Sequence, residues 1–486
     1  MSKKDFIVKA VQDYAPTAIK LSDYMWDNPE VAYTEYKACE ALTEELKKQG
    51  FEVEVGVADI PTAFVAKWGS GHPVVGILAE YDALEALNQK ADVFEKCETA
   101  HGEPGQGCGH HMLGAASLAG AVAAKEYMQA HGTKGTIICY GCPAEEGGSG
   151  KTFMARDGVF DGCDIAIGFH PGDLNVVTPG SSLANVKVKY SFDGRAAHAA
   201  GDPEKGRSAL DAAELMNMGV QFLREHVIQE ARIHYAFTDT GGEAPNVVQA
   251  HCDVLYMIRA PKIEQVMDIY RRVNLIANGA AMMTETTCTI TFIKGCSNLL
   301  NNTVVGKQLH ENLVKVGVPE YTAEELEYAK KMNNTVGNTG PSENDVAMAK
   351  KYAKNLPEAE AKALIESFEK PISDVVMPFF VSDVASAGST DVSDVSMVCP
   401  CTYFTTATWT QGSPGHSWQN VSQGKGSIAH KGMLYGAEVL ALTAIDFMED
   451  PALVEAAKAE HRDAMGGKPY VCPIPKDVKA PVPPRN

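Results

Sequence analysis

Residues 74–82 read Val-Val-Gly-Ile-Leu-Ala-Glu-Tyr-Asp, an apolar run that ends abruptly in Glu80, Tyr81 and Asp82. Such a run reads as an extended strand. Its polar end stands where open α/β sheets bind ligands, beyond the carboxyl ends of their strands. On the N-terminal side lie a polar-faced helix over Tyr36–Gln49 and an extended run at Thr62–Trp68. On the C-terminal side a small-residue helix covers Met112–Ala130, followed by strands at Thr136–Tyr140 and Asp164–Phe169. This alternation predicts an α/β class: a mixed, largely parallel sheet sandwiched by helices.

From Asn185 the rhythm changes. Strand Asn185–Phe192, helix Ser208–Glu225, strands Arg232–Thr238 and Ala250–Arg259, helix Ile263–Met283 and strand Thr286–Ile293 follow in order. That β-α-β-β-α-β order describes a ferredoxin-like α+β unit inserted into the larger domain. The expected division is therefore 1–184 and 296–486 for one discontinuous domain, and 185–295 for the insert. Beyond it, Tyr321–Lys370 reads as a solvated helical excursion broken at Gly337–Pro341. Ser427–Met448 reads as a buried helix, and the Pro-rich end, Pro473–Asn486, as a tail.

Composition bounds the function. The chain has 486 residues, 45% of them hydrophobic and 22% charged, as in ordinary globular proteins. Acidic residues outnumber basic ones by 62 to 43, a net charge of −19, which disfavours nucleic-acid and anionic-membrane partners. Met1–Ala15 alternates charge with short apolar patches and lacks the pattern of a signal peptide. Gly114–Ala124 is too short to span a bilayer. The 12 cysteines are scattered through a long chain, so a disulfide framework is a poor reading and a reducing cytoplasm the expected location.

Two further strands end as Val74–Ala79 does. Glu145 and Glu146 follow Thr136–Tyr140 and a Gly-Cys-Pro-Ala turn, and His170 closes Asp164–Phe169. Gly-Cys-Gly-His-His at 107–111 precedes the small-residue helix. In an extended loop Cys108 and His110 face the same way and can share a cation; thiolate, imidazole and carboxylate suit zinc and its neighbours. The adjacent carboxylates Glu145 and Glu146 repel unless cations compensate, and one can take a proton while the other binds metal. His416 sits in a Gly- and Pro-framed loop, a better ligand candidate than a helical histidine. Each feature also has a plain reading: a buried thiol, an acidic surface turn, a satisfied core histidine. His111, His430 and His461 are taken as structural. Cys139 and Cys142 form a C-x-x-C, read as coincidence because Cys139 falls inside a strand. No Walker A loop, G-x-S-x-G elbow or zinc-deaminase signature is present.

The runs Gly107-Cys-Gly-His-His-Met-Leu-Gly, Pro143-Ala-Glu-Glu-Gly-Gly-Ser-Gly-Lys and Ser413-Pro-Gly-His-Ser-Trp resemble the dinuclear metallopeptidase family of aminoacylases, glutamate carboxypeptidases and auxin-conjugate amidohydrolases. Runs around Arg195, Gly206, Pro245, Tyr256, Ser389 and Cys472 extend the resemblance over nearly the whole chain. It implies metal-dependent hydrolysis of N-acyl or N-aroyl amino acids, with p-aminobenzoyl-glutamate the first substrate expected. A broader N-acyl-amino-acid or dipeptide hydrolase is the alternative, and a non-catalytic subunit of a heteromeric hydrolase another. By resemblance, Cys108, His110, Glu146, His170 and His416 match ligands of two divalent ions, manganese or zinc. Glu145 matches the general base. The insert matches a lid that also makes the dimer, either with a second copy or with a homologous subunit. His198 matches a lid histidine that reaches the partner's site, and Asn246 and Arg259 match positions that hold the substrate carboxylate. Many relatives carry His-x-Asp where this chain has Glu80-Tyr-Asp82, and Asp or Asn where it has His111. The roles of Asp82 and His111 are therefore open.

Overall fold

The computed structural model describes residues 1–336, 350, 353, 354 and 356–485. A seven-stranded mixed sheet forms its centre. Its strands are β1 (Glu52–Val55), β2 (Phe64–Ser70), β3 (Val74–Ala79), β4 (Gly135–Gly141), β5 (Ile165–Gly172), β6 (Val176–Val177) and β11 (Cys401–Ala407). They lie in the order β1-β2-β4-β3-β5-β11-β6. The neighbours β4, β3, β5 and β11 run parallel, and the outer strands pair antiparallel. The carboxyl ends of the four parallel strands therefore open on one edge of the sheet.

Helices cover both faces, which is why the central strands are apolar on both sides. One face carries His110–His131, Ser427–Glu449 and Lys3–Asp27, packed against each other and the sheet. Gly and Ala in the first two let them approach closely: a Cβ on Gly120 would lie 3.0 Å from Leu440 Cβ and 3.2 Å from Ala437 O. The other face carries Gly150–Arg156 and Val392–Val398. No described helix is long and apolar enough to cross a membrane, and all twelve cysteines are free. Cys139 and Cys142 belong to core clusters on different faces of the sheet, so their spacing has no redox meaning.

The second sheet is antiparallel. It comprises β7 (Ala184–Asp193), β8 (Arg232–Asp239), β9 (His251–Ala260) and β10 (Thr287–Cys296), in the order β10-β7-β9-β8. This is the order of a ferredoxin-like sandwich. Helices Ala209–Leu223 and Ile263–Thr284 cover one face, and β9 alternates accordingly, with Cys252, Val254, Tyr256, Ile258 and Ala260 buried. The opposite face, at the end where β7 enters and β10 leaves, looks toward the strand ends of the main sheet.

Three local expectations need correction. The N-terminal segment, for which no element was expected, is one helix from Lys3 to Asp27 whose charge and apolar patches alternate as its exposed and buried faces. Ser2 caps it by accepting from Asp5 N, and Pro16 is accommodated within it. The end, read as a tail, docks: Ile474 is buried, and Arg156 donates to the carbonyls of Pro475 and Val478. Strand β11 has no counterpart among the expected elements. The break expected at Gly337–Pro341 lies outside the described residues.

Candidate active site

Each polar cluster is delivered by a strand end. β3 releases Glu80 and Asp82, and the helix His110–His131 begins directly above it. A Cβ on Gly114 would meet Glu80 O at 2.9 Å, so only a glycine lets the helix sit this low. Cys108 and His110 do not lie in an extended loop as expected. Gly109 between them is left-handed, at φ 80°, and a Cβ there would strike Trp409 at 2.8 Å. The turn makes His110 the first helical residue and leaves Cys108 Sγ 3.4 Å from His170 Nε2.

After β4, a second tight turn presents Glu145 and Glu146. Ala144 is left-handed, and its N–H, like that of Tyr33, donates to buried Glu35 at 2.9 Å. Gly150 is obligatory, since a Cβ would overlap Pro143 O at 2.0 Å. β5 continues past Phe169 to Gly172 because β11 pairs with it throughout, which holds His170 inside the strand. His170 Nδ1 faces Pro171 O at 2.7 Å; as donor there, the ring leaves Nε2 as a lone-pair donor into the site. His416 arrives on the loop after β11, with Nε2 3.5 Å from Glu146 Oε2.

Asp82, whose role was open, is a brace. Its Oδ1 lies 2.9 Å from His110 Nδ1, and its Oδ2 accepts from Glu146 N at 2.9 Å. One carboxylate thus fixes the His110 ring and the backbone of the turn that carries Glu146. His111 turns away, with Nε2 2.9 Å from Gly424 O, and burial lowers its pKa to about 4. It is structural, as are His430 against Asp23 and His461 against Ser396 O.

The charge balance is the notable property. Glu80, Asp82, Glu145, Glu146 and Asp391 crowd together, and Lys151 is the buried ammonium among them. Its Nζ lies 2.7 Å from Glu80 and 2.5 Å from Asp391. Burial and then Glu80 push the Glu145 carboxyl up, and burial raises Glu146 to about 7. Burial alone would keep His110 neutral, yet Cys108 and Asp82 outweigh it and raise its pKa. Burial also pushes the Cys108 thiol up, and lowers His170 to about 4. Among the described residues, buried Glu146 Oε1 has no hydrogen-bond partner and His110 Nε2 has only a 3.3 Å contact with Glu80 Oε2. A dehydrated cluster of acids with unpaired lone pairs is stabilised by cations. The donors fit: Cys108, His110 and His170 form one group with ligand atoms within 4.8 Å of one another, and Cys108, Glu146 and His416 form a second sharing the sulfur. A third group, Glu80, His110 and Glu145, overlaps both through its residues or their neighbours.

Two cavities meet at Glu145, Glu146 and His416. One, about 360 Å³, is lined by Cys108, His170, Leu78, Leu113, Phe169 and Tyr403 among others. The second, about 280 Å³, lies between the two sheets and includes Lys187, Arg259 and Lys294 from the inserted unit. Arg259 Nη1 donates to Ser389 Oγ at 3.4 Å across it. His198 and Asn246 line neither cavity. They are exposed and sit together on the inserted unit, where Ala199 N donates to Asn246 O and the ring of His198 accepts from Gly201 N. Sequence reasoning left Lys151 and Asp391 without a role, although both lie in quoted runs.

A buried, acid-rich pocket at the ends of parallel strands, with one donor group of a thiol and two imidazoles and a second of the same thiol, a carboxylate and an imidazole, has the donor chemistry of a metal-dependent hydrolase. Residues 181–282 match the M20 peptidase dimerisation domain. The chain is 42% identical to one of the subunits of p-aminobenzoyl-glutamate hydrolase from Escherichia coli (strain K12), covering 97% of this chain and 98% of that protein. Solved structures agree in fold. The aminobenzoyl-glutamate utilization protein from Klebsiella pneumoniae superposes with a TM-score of 0.61 at 18% identity, over 92% of this chain and 98% of that one. The Bacillus subtilis YXEP protein, described as a dinuclear metal binding peptidase from the M20 family, gives 0.55 at 14% identity, over 90% and 99%. This chain belongs to the M20 family of metal-dependent peptidases and amidohydrolases.

Proposed function

We propose that this chain hydrolyses the amide bond of N-acyl and N-aroyl amino acids, with p-aminobenzoyl-glutamate as its substrate and p-aminobenzoate and glutamate as products. The observation that carries the reading is the two-walled cleft. Glu145 and the metal-capable donors line one wall, and the guanidinium of Arg259 faces them from the other. An amino acid with a free carboxylate fits between these walls. The name of the Escherichia coli relative supplies the acyl group and the amino acid.

Cys108, His110, Glu146, His170 and His416 would hold two divalent ions, manganese or zinc. When bound, such ions polarise the scissile carbonyl and make water nucleophilic at neutral pH. Glu145 takes the proton of the attacking water and returns it to the leaving amine. Its burial beside Glu80 raises its affinity for that proton, which suits a group that must first accept and then donate. Asp82 holds His110 and Glu146 in register. In Asp82→Asn, metal affinity is expected to fall about 10- to 100-fold, as for comparable outer partners of metal ligands, with the fold unchanged by circular dichroism. Equilibrium dialysis against a metal buffer reads this directly, and unchanged affinity would remove Asp82 from the role.

We assign residues 1–184 and 296–486 to the catalytic domain and 185–295 to a lid that also forms the dimer. The outer face of its helices is apolar and exposed: Met218 is 57% exposed, Phe222 68%, Leu275 61% and Met283 68%. Exposed apolar surface of this kind marks an association face. His198 and Asn246, remote from this chain's own cleft, then serve the partner's.

The test is p-aminobenzoate release by the purified chain alone, with manganese, with zinc and after chelation. Release with either metal, abolished by chelation and restored on adding metal back, is the expected result. No release under any metal, from a panel that includes other N-acyl amino acids, would overturn the reading unless adding a homologous subunit restores it.

A further inference from the structure

Lys187 on β7 and Lys294 on β10 are direct cross-strand partners, and both line the cavity between the sheets. Like charges placed opposite each other on neighbouring strands destabilise a sheet. Here the arrangement is built in. A β-bulge interrupts β10 between Phe292 and Lys294. Phe292 pairs with Val188 and is buried on the helix-covered face, stacked edge-on against Tyr270. In a regular strand Lys294 would share that face. The extra residue reverses the alternation, so Lys294 pairs with Lys187 and turns into the cleft. Bulges beside active sites re-aim side chains in this way.

Among the described residues, neither ammonium group is paired with a carboxylate. Lys189, the next residue of β7 on the same face, is neutralised by Asp253 at 3.0 Å. Among the described residues neither Lys187 nor Lys294 has a carboxylate within ion-pair distance, and Glu85 acts on Lys187 only from further off. Lys294 is only 7% exposed, so water does little to relieve the repulsion. Of the acids across the cavity, Asp391 holds Lys151 and Glu146 lies against His416, while Glu145 makes no ion pair with either lysine. Arg259, on β9, lines the same wall, its register partner Asn185 lying two residues before Lys187.

We propose that Lys187 and Lys294 form a second carboxylate site beside Arg259, which makes this a hydrolase for conjugates of acidic amino acids. Arg259 takes the α-carboxylate, and the lysine pair takes the side-chain carboxylate. A neutral side chain leaves the buried Lys294 and the half-buried Lys187 unpaired, and a basic one is repelled. This rests on the proposed amidohydrolase reading and names the residues that set its choice of leaving amino acid.

The holoenzyme is assayed on N-benzoyl conjugates of glutamate, glutamine, alanine and arginine, as wild type and as Lys187→Met, Lys294→Met and Lys294→Arg. Wild-type kcat/KM for the glutamate conjugate is expected to exceed that for the glutamine conjugate about 100-fold or more, the scale of a buried charge pair left half-made. Each Met substitution lowers that ratio at least about tenfold, mainly through KM, and Lys294→Arg keeps most of it. A wild-type ratio near one, or Met variants that lose activity equally on both conjugates, overturns the lysine site and leaves the amidohydrolase reading standing. Calorimetry with glutarate and its monoamide tests the site without turnover. Wild type should prefer the diacid and Lys294→Met should not, and equal binding of the two by wild type overturns the proposal. If no conjugate is cleaved, the p-aminobenzoate-release assay decides the amidohydrolase reading separately, and the calorimetric result still decides the lysine pair.

Discussion

Glu145→Gln retains its metal while its kcat falls about 1,000- to 10,000-fold, the upper range for loss of a general base. The amide cannot accept a proton, and of the two carboxylates that border both cavities Glu145 is the one outside the Cys108 donor groups. It lies outside the two donor groups that share Cys108, so metal content should match wild type. Metal analysis of the purified variant, with single-turnover assays, checks both halves of the statement. A loss smaller than about tenfold would take Glu145 out of the proton path. Loss of metal together with activity would instead place it among the ligands, beside Glu80 and His110.

His198→Ala should lower kcat about 100- to 1,000-fold, the usual cost of removing one donor to a developing oxyanion, with KM changed far less. The residue is exposed and lines neither cavity of its own chain, so the effect is expected to arise in trans. Mixing inactive His198→Ala with inactive Glu145→Gln then restores turnover. A mixed dimer carries one site with an intact Glu145 and His198 of the partner subunit. Random exchange in a closed two-fold dimer makes half the dimers mixed, which sets recovery at about a quarter of the wild-type rate. No recovery after verified subunit exchange would confine His198 to a structural role. An undiminished rate in His198→Ala alone would show that the oxyanion is held by other groups.

These expectations draw on features of unequal visibility. Val74–Ala79 was legible to the residue because a continuous apolar run ends in charge, and burial on both faces of a parallel strand demands that run. The small-residue helix and the β-α-β-β-α-β insert were legible for the same reason: their periodicity reflects packing within the element or against the next one. Strand β11 was not. Its Cys-Thr-Tyr-Phe-Thr-Thr-Ala carries threonine on both faces, and its place beside β5 is set by a partner more than two hundred residues away. The helix Lys3–Asp27 hides behind Pro16, and the Pro-rich end docks through Ile474 where composition suggests a free tail.

Within the site, local order marked Cys108, His110, Glu145, Glu146, His170 and His416 as candidates, because their polar groups punctuate strand ends and glycine turns, and the structure brings them together. Ligand chemistry requires those residue types at those places, so the motif survives without coordinates. Asp82 as a brace between the His110 ring and the Glu146 amide, Lys151 as the counter-ion of Glu80 and Asp391, and the outward turn of His111 depend on distances between remote segments. Lys294 is the clearest case. Alternation along Thr287–Cys296 would point it at the helices, and the bulge that redirects it toward Lys187 exists only in the pairing of two strands. The chain alone therefore specified the architecture and the candidate donor types, because these follow from burial patterns and chemical identity along short stretches, while the choice of Glu145 as base came from the family resemblance. Which charges face each other across the cleft, and hence which amino acid the cleft suits, follows from register and domain apposition, which arise only when the chain folds.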